Sequence, residues 1–282
     1  AEAGYGEGLA IAQSNMADHF YYANKADSAI IFYKKAITWF EENNKQDITS
    51  DIYNSMGIAA TRIGNYSDGL DFVIKGLIIN QQLNDSVKIG DSYCSLGKVM
   101  ERLGEPIQAL ENYEKSYAYL KSGKNLNLLA KTLMNIGVVN FILGNYKESS
   151  NYYNRAIVIQ EQNNDDYGLM GTYMHLGKLN SQNGDNNAAV IFHNMAMEKA
   201  TKLNNLHALS EIYIHLGEIY SHDRKKQKQG LEYLEKGLKL AKKTKNKRIE
   251  KNAYMALAEC YSQMKEHEKA YQTQKLYYIL ND

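Results

Sequence analysis

"YNSMGIAATRIGNYSDGLDFVIKGL", residues 53–77, places four glycines inside a pattern that otherwise reads as helix. The spacing of these glycines decides the fold. Gly57 belongs to a series with Gly97, Gly137, Gly177 and Gly217, each forty residues from the next. Each follows an apolar residue: Met56, Leu96, Ile136, Leu176 and Leu216. One step back reaches Met16-Ala17, and a step of forty-one forward reaches Leu257-Ala258, which makes seven units. Self-similarity at a fixed period of this size marks a repeat architecture.

Further columns keep the register. Seven residues after the first small residue come Gly64, Gly104, Gly144 and Gly184. Ala29, Gly69, Ala109, Ser149 and Ala189 follow twelve residues after it, Tyr33, Val73, Tyr113, Tyr153 and His193 sixteen after, and Ala36, Gly76, Ser116, Ala156 and Ala196 nineteen after. Small, mostly aromatic and small residues at these offsets share one helical face. A forty-residue period also suits a β-propeller blade or a HEAT or armadillo unit. Strand alternation and a Trp-Asp signature are absent, so each unit reads as helix, tight turn, helix. The turn glycines mark the corner. The recurrent Asn44, Asn84, Asn164 and Asn204 close the second helix, where Asn tolerates a left-handed backbone. Pro106, the single proline, falls at the start of a second helix, where it is harmless. Glycine inside a helix costs about 1 kcal/mol against alanine, so the small columns predict close approach of paired backbones.

With "YCSLGKVMERLGEPIQALENYEKSY", "LMNIGVVNFILGNYKESSNYYNRAI", "YMHLGKLNSQNGDNNAAVIFHNMAM" and "YIHLGEIY" aligned beneath the first stretch, the chain resembles the tetratricopeptide repeat family. The resemblance runs from about residue 10 to residue 278. It implies an all-α, right-handed superhelical solenoid of about seven helix-turn-helix repeats, one domain over residues 1–282. The units depart from the family in length, forty residues against the usual ~34, and lack its closing proline. Repeat six departs most: "SHDRKKQKQGLEYLEKGL" has Arg224 where its neighbours have the turn glycine, and one residue inserted.

Composition excludes some functions. The net charge is +1, which gives no global pull toward nucleic acid or an acidic membrane. Cys94 and Cys260 form neither a disulfide framework nor a metal spacing and read as small buried side chains. No glycine-rich phosphate loop and no marked catalytic set is present, so the sequence predicts no enzyme activity and no cofactor. The opening "AEAGYGEG" lacks Met, and the chain is read as a processed or excised piece of something longer.

The family's first helices line a concave face, and the resemblance places the ligand there. Positions around the Leu-Gly column then nominate Asn15, Tyr22, Asn54, Arg62, Lys98, Arg102, Lys131, Asn135, Phe141, His175, Lys178, His215, Glu218 and His222 as a peptide groove. Asn135 and Lys131 match part of the Lys-Asn carboxylate clamp of chaperone-binding members. Ser95, Asn54 and Ile58 in the preceding units leave that clamp incomplete, so chaperone-tail binding is not expected. The stretch from residue 224 to residue 251 carries +9, and Lys236, Lys239, Lys242 and Lys243 on it nominate a docking patch for an acidic partner. The tail "EKAYQTQKLYYILND" resembles the last repeat of bacterial receptors that precede histidine kinase or helix-turn-helix modules. By that resemblance the chain is the sensory or interaction part of a larger regulator, periplasmic if it belongs to a membrane receptor and cytoplasmic otherwise. The alternatives are a free-standing adaptor that assembles a protein complex and a small-molecule sensor.

Overall fold

A computed structural model describes residues 2–23, 25–123 and 125–280. These residues form fourteen helices and no strand. In chain order they are α1 (Glu2–Tyr22), α2 (Ala26–Glu42), α3 (Gln46–Arg62), α4 (Tyr66–Gln82), α5 (Ser86–Leu103), α6 (Pro106–Leu120), α7 (Leu126–Ile142) and α8 (Tyr146–Gln162). Then follow α9 (Asp166–Gln182), α10 (Asn186–Lys202), α11 (Leu206–Ser221), α12 (Gln227–Lys243), α13 (Lys247–Gln263) and α14 (His267–Ile279). Each repeat is one helix pair, and the pairs build an all-α helical-repeat solenoid. The chain divides into two compact units, residues 1–152 and 153–282.

Local chemistry explains where the helices stop. Gly64, Gly104, Gly144 and Gly184 have φ of 80–83°, the left-handed region the corner requires. Asn44, Asn84, Asn164 and Asn204 take φ of 50–53° at the joint into the next pair, as the recurrent Asn predicts. Lys245 holds the same conformation at the joint before the last pair, and Lys265 takes φ 63° at the corner of that pair, where four earlier corners have glycine. Helices α5 and α9, which follow two of these joints, are capped by side chains: Asp85 accepts from the Val87 and Lys88 amides at 3.0 Å, and Asp165 accepts from Gly168 at 2.9 Å. Pro106 opens α6.

The periodic small columns are the core. Ala29, Ala109 and Ala189, then Ala36 and Ala196, have no exposed surface, and Tyr33, Val73, Tyr113, Tyr153 and His193 between them are buried. The reason glycine is needed is direct. A Cβ on Gly57 would sit 2.8 Å from the Gly69 carbonyl oxygen, and one on Gly217 would sit 2.9 Å from that of Gly230. Gly230 takes the role of Gly69 one position late, after a turn in which the Lys226 amide donates to the Asp223 carbonyl at 2.7 Å. The inserted residue of repeat six is therefore absorbed in the corner. Cys94 and Cys260 are free and buried.

Candidate peptide-binding clefts

The first helices of each unit form a cleft, and the same repeat columns line both. In unit 1 the residues six, three and two before the small residue and one after it supply Asp51, Asn54, Ser55 and Ile58 from α3, Asp91 and Ser95 from α5, and Lys131 from α7. Asp18, Tyr21 and Tyr22 come from α1, and Tyr33 reaches through from α2. The cleft holds about 290 Å³. Tyr33 donates its hydroxyl proton to Asp18, and burial together with that carboxylate raises the phenol well above its ordinary value. Lys88 pairs with Asp47 and, at 2.9 Å, with Asp51. Burial keeps the Asp51 carboxyl above its ordinary value against the pull of Lys88, and Asp47 and Asp91 add to the effect. Coupling to the Cys94 thiol, whose ionised form it would stabilise, and to the Asp91 carboxylate raises Lys131, while burial pushes Cys94 itself above its ordinary value.

In unit 2 the equivalent columns give Gly171, Met174, His175 and Lys178 from α9 and Glu211, Ile214, His215 and Glu218 from α11. Helix α13 adds Arg248, Ile249, Asn252 and Met255, and the cleft holds about 500 Å³. His175 and His215, forty residues apart in sequence, thus share one cleft. Each lies on a ring from the preceding second helix: His175 stacks on Tyr153 at 5.7 Å, and His215 on His193 at 5.4 Å. Polar groups pair internally. His215 Nδ1 lies 3.0 Å from a Glu218 carboxylate oxygen, and Arg248 donates to Glu211. His193 is fully buried with neither ring nitrogen bonded, and burial, helped by His215, pushes its pKa down to about 3.

The structure therefore brings Tyr22, Asn54 and Lys131 to one cleft and His175, Lys178, His215 and Glu218 to the other. Asn54 and Asn135 are buried. Asn54 donates to Ser92 Oγ at 3.0 Å, and Asn135 donates to Cys94 Sγ at 3.5 Å, so much of their polarity serves the packing between first helices. Arg62 stacks 4.6 Å over Tyr21 and donates to its carbonyl at 2.8 Å. Lys98 pairs with Glu101 at 3.0 Å. Asn15 and Arg102 are exposed outside both clefts, and Phe141 packs on Tyr146 at 5.6 Å. His222 Nδ1 donates to the Glu218 carbonyl at 2.7 Å, and its Nε2 lies 3.5 Å from Glu259. On α12, Lys236 lies over Tyr233 and Lys242 over Tyr254, while Lys239 and Lys243 are exposed. Asp51, Asp91, Met174, Glu211, Arg248 and Met255 join the clefts without having been nominated. All but Arg248 stand in the columns six and three before the small residue, so the forty-residue count contained the signal.

Comparison with known proteins agrees with this architecture. Models of the tetratricopeptide repeat match residues 128–202 and 210–244. No curated protein sequence matches the chain. Among solved structures, the apo form of the quorum sensor NprR from B. thuringiensis superposes with a TM-score of 0.77 at 18% identity, covering 96% of this chain and 75% of that one. A Rap protein complexed with Competence and Sporulation Factor gives 0.76 at 14% identity, over 95% and 74%. A signal transduction ATPase (STAND) protein with a tetratricopeptide repeat sensor, PH0952 from Pyrococcus horikoshii, gives 0.72 at 16% identity, over 95% of this chain and 42% of that one.

Proposed function

The chain is built from tetratricopeptide repeats, and from that premise we propose that it binds peptide or protein segments on its first-helix faces without catalysing a reaction. One observation carries the reading: four repeat columns line a cleft in each unit and hold its charged and polar variety. Repeat arrays use such surfaces for extended partners. Panning a displayed peptide library against the whole chain tests it. Ser55→Arg or Met255→Arg, one in each cleft, is expected to weaken the selected peptides at least about tenfold, and Glu114→Lys on a second helix leaves them unchanged. Full retention of affinity by both cleft variants would overturn the reading.

We further propose that this binding serves as the sensory or interaction part of a larger bacterial signalling or regulatory protein. Support comes from the structural neighbours described as a quorum sensor and as a signalling ATPase with a repeat sensor. The coding sequence beyond Asp282 provides the test. An effector module there is the expected result, and a stop without one favours the adaptor reading.

A further inference from the structure

We propose that the unit 1 cleft seats an arginine side chain of the bound peptide, with its guanidinium among Asp18, Asp51 and Asp91 and beside Tyr21 and Tyr22. The proposal rests on the peptide-binding reading and specifies the chemistry of one seat within it. Three carboxylates line the cleft against one lysine, Lys131. Two of them have partners: Asp18 accepts from Tyr33, and Asp51 accepts from Lys88. The Asp91 carboxylate has no hydrogen bond or ion pair among the described residues. Ser95 is 7% exposed, lines the same cleft and has no hydrogen-bond partner among the described residues. Its Oγ is not one of the buried, unpartnered side-chain atoms, so it is open to the cleft, where it can accept from a ligand donor.

The wall beside the carboxylates already receives a guanidinium. Arg62 of this chain lies over the Tyr21 ring at 4.6 Å, the face-on geometry that attracts cations. Tyr22 is 83% exposed next to it and offers a further ring to the cleft. Among the described residues no three acidic, histidine or cysteine groups come close enough to hold a metal ion, so these carboxylates suit an organic cation with several separated donors. Guanidinium fits that better than ammonium, because it is planar, stacks on aromatic faces and presents five donors in fixed directions. A volume of about 290 Å³ suits one long side chain and is too small for a folded partner.

The test uses the whole chain and two blocked tripeptides, Ac-Gly-Arg-Gly-NH2 and its citrulline counterpart, titrated while backbone amide shifts are followed by NMR. The arginine peptide is expected to shift amides around Tyr22, Asp91 and Ser95 and to bind about tenfold tighter than the neutral citrulline peptide. Asp91→Asn should weaken it about fivefold with the melting temperature unchanged, and Ser95→Ala should weaken it less. Equal affinity of the two peptides, shifts confined to other residues, or no effect of Asp91→Asn would overturn the proposal. Agmatine supplies the same cation without a peptide, and tighter binding of agmatine than of the tripeptide would also overturn it. If the arginine probe fails while library-selected peptides still lose affinity in the Met255→Arg variant, the seat is wrong and the peptide-binding reading stands.

Discussion

The two clefts are made by the same columns and hold opposite chemistry. In unit 1 the columns carry three aspartates with tyrosine rings beside them, and one carboxylate, Asp91, has no hydrogen bond or ion pair among the described residues. In unit 2 they carry histidines, methionines and polar groups that already have partners, His215 with Glu218 and Glu211 with Arg248 of α13. Beneath both lies the same buried pattern of small residue, ring and small residue. The difference teaches where each kind of information sits. Columns that hold helices together admit little variety, while those that face the cleft vary freely from repeat to repeat.

The largest expected effect tests the shared part of that comparison. Gly57→Val and Gly217→Val put side-chain atoms where the Gly69 and Gly230 carbonyls already stand, 2.8 and 2.9 Å from the new Cβ. Each should cost about 3 kcal/mol in a chemical-denaturation experiment, the upper end of overpacking penalties. Similar losses in both units are expected. A loss in one unit with none in the other would mean the close approach is not a common requirement of the repeat.

The next prediction separates the units. His193 occupies the ring column that Tyr33, Tyr113 and Tyr153 fill elsewhere and leaves both nitrogens unbonded. Its folded pKa is pushed down to about 3 from an ordinary 6.5. Its stabilising contribution is therefore fully present above 6.5 and is lost as pH falls toward 3, because the unfolded chain takes up a proton that the folded chain refuses. The slope approaches about 1.4 kcal/mol per pH unit, or about 2 kcal/mol lost at pH 5. His193→Leu copies the buried Leu234 of repeat six and should flatten that slope. It should also add about 1 kcal/mol at pH 7 by removing two unsatisfied nitrogens. An unchanged slope would place the acid sensitivity in other groups, with His215, stacked on this ring, the first to check.

Much of the fold was legible because a repeat writes each structural demand many times. The left-handed corners announced themselves as Gly64, Gly104, Gly144 and Gly184, and the joints as Asn44, Asn84, Asn164 and Asn204. The clefts were legible only in part. Asn54 and Asn135 stand in columns that flank the cleft, yet their amides turn to Ser92 and Cys94 of the first helix between them, α5. That choice depends on the neighbour across the stack, which no single column reveals. The stacks of His175 on Tyr153 and His215 on His193 join residues of two columns, and reading them requires the geometry as well as the period.

A smaller effect concerns the joints. Lys245 holds φ 53° at a joint where four earlier repeats use Asn. A left-handed lysine carries a steric cost that glycine does not. Lys245→Gly should therefore stabilise the chain by about 1 kcal/mol, while Asn84→Gly changes stability by only a few tenths, since Asn already tolerates the conformation. Equal responses at the two joints would show that local strain does not distinguish them.

The smallest effect on folding is expected on α12, and there the readout is binding. Lys236 and Lys242 spend part of their charge on Tyr233 and Tyr254, whereas Lys239 and Lys243 are exposed on the same helix. Reversing Lys236, Lys239 and Lys243 to Glu should change stability by no more than about 1 kcal/mol, because exposed charges contribute little to folding. The same change turns a basic segment toward neutrality and should remove acidic partners from a pull-down at low salt, while added salt should release them from the unaltered chain. Library peptides selected on the unit 2 cleft should bind the triple variant as before. An unaltered partner set would reduce this helix to a solvated outer face, and lost cleft binding would mean that the segment acts on the cleft's own ligand.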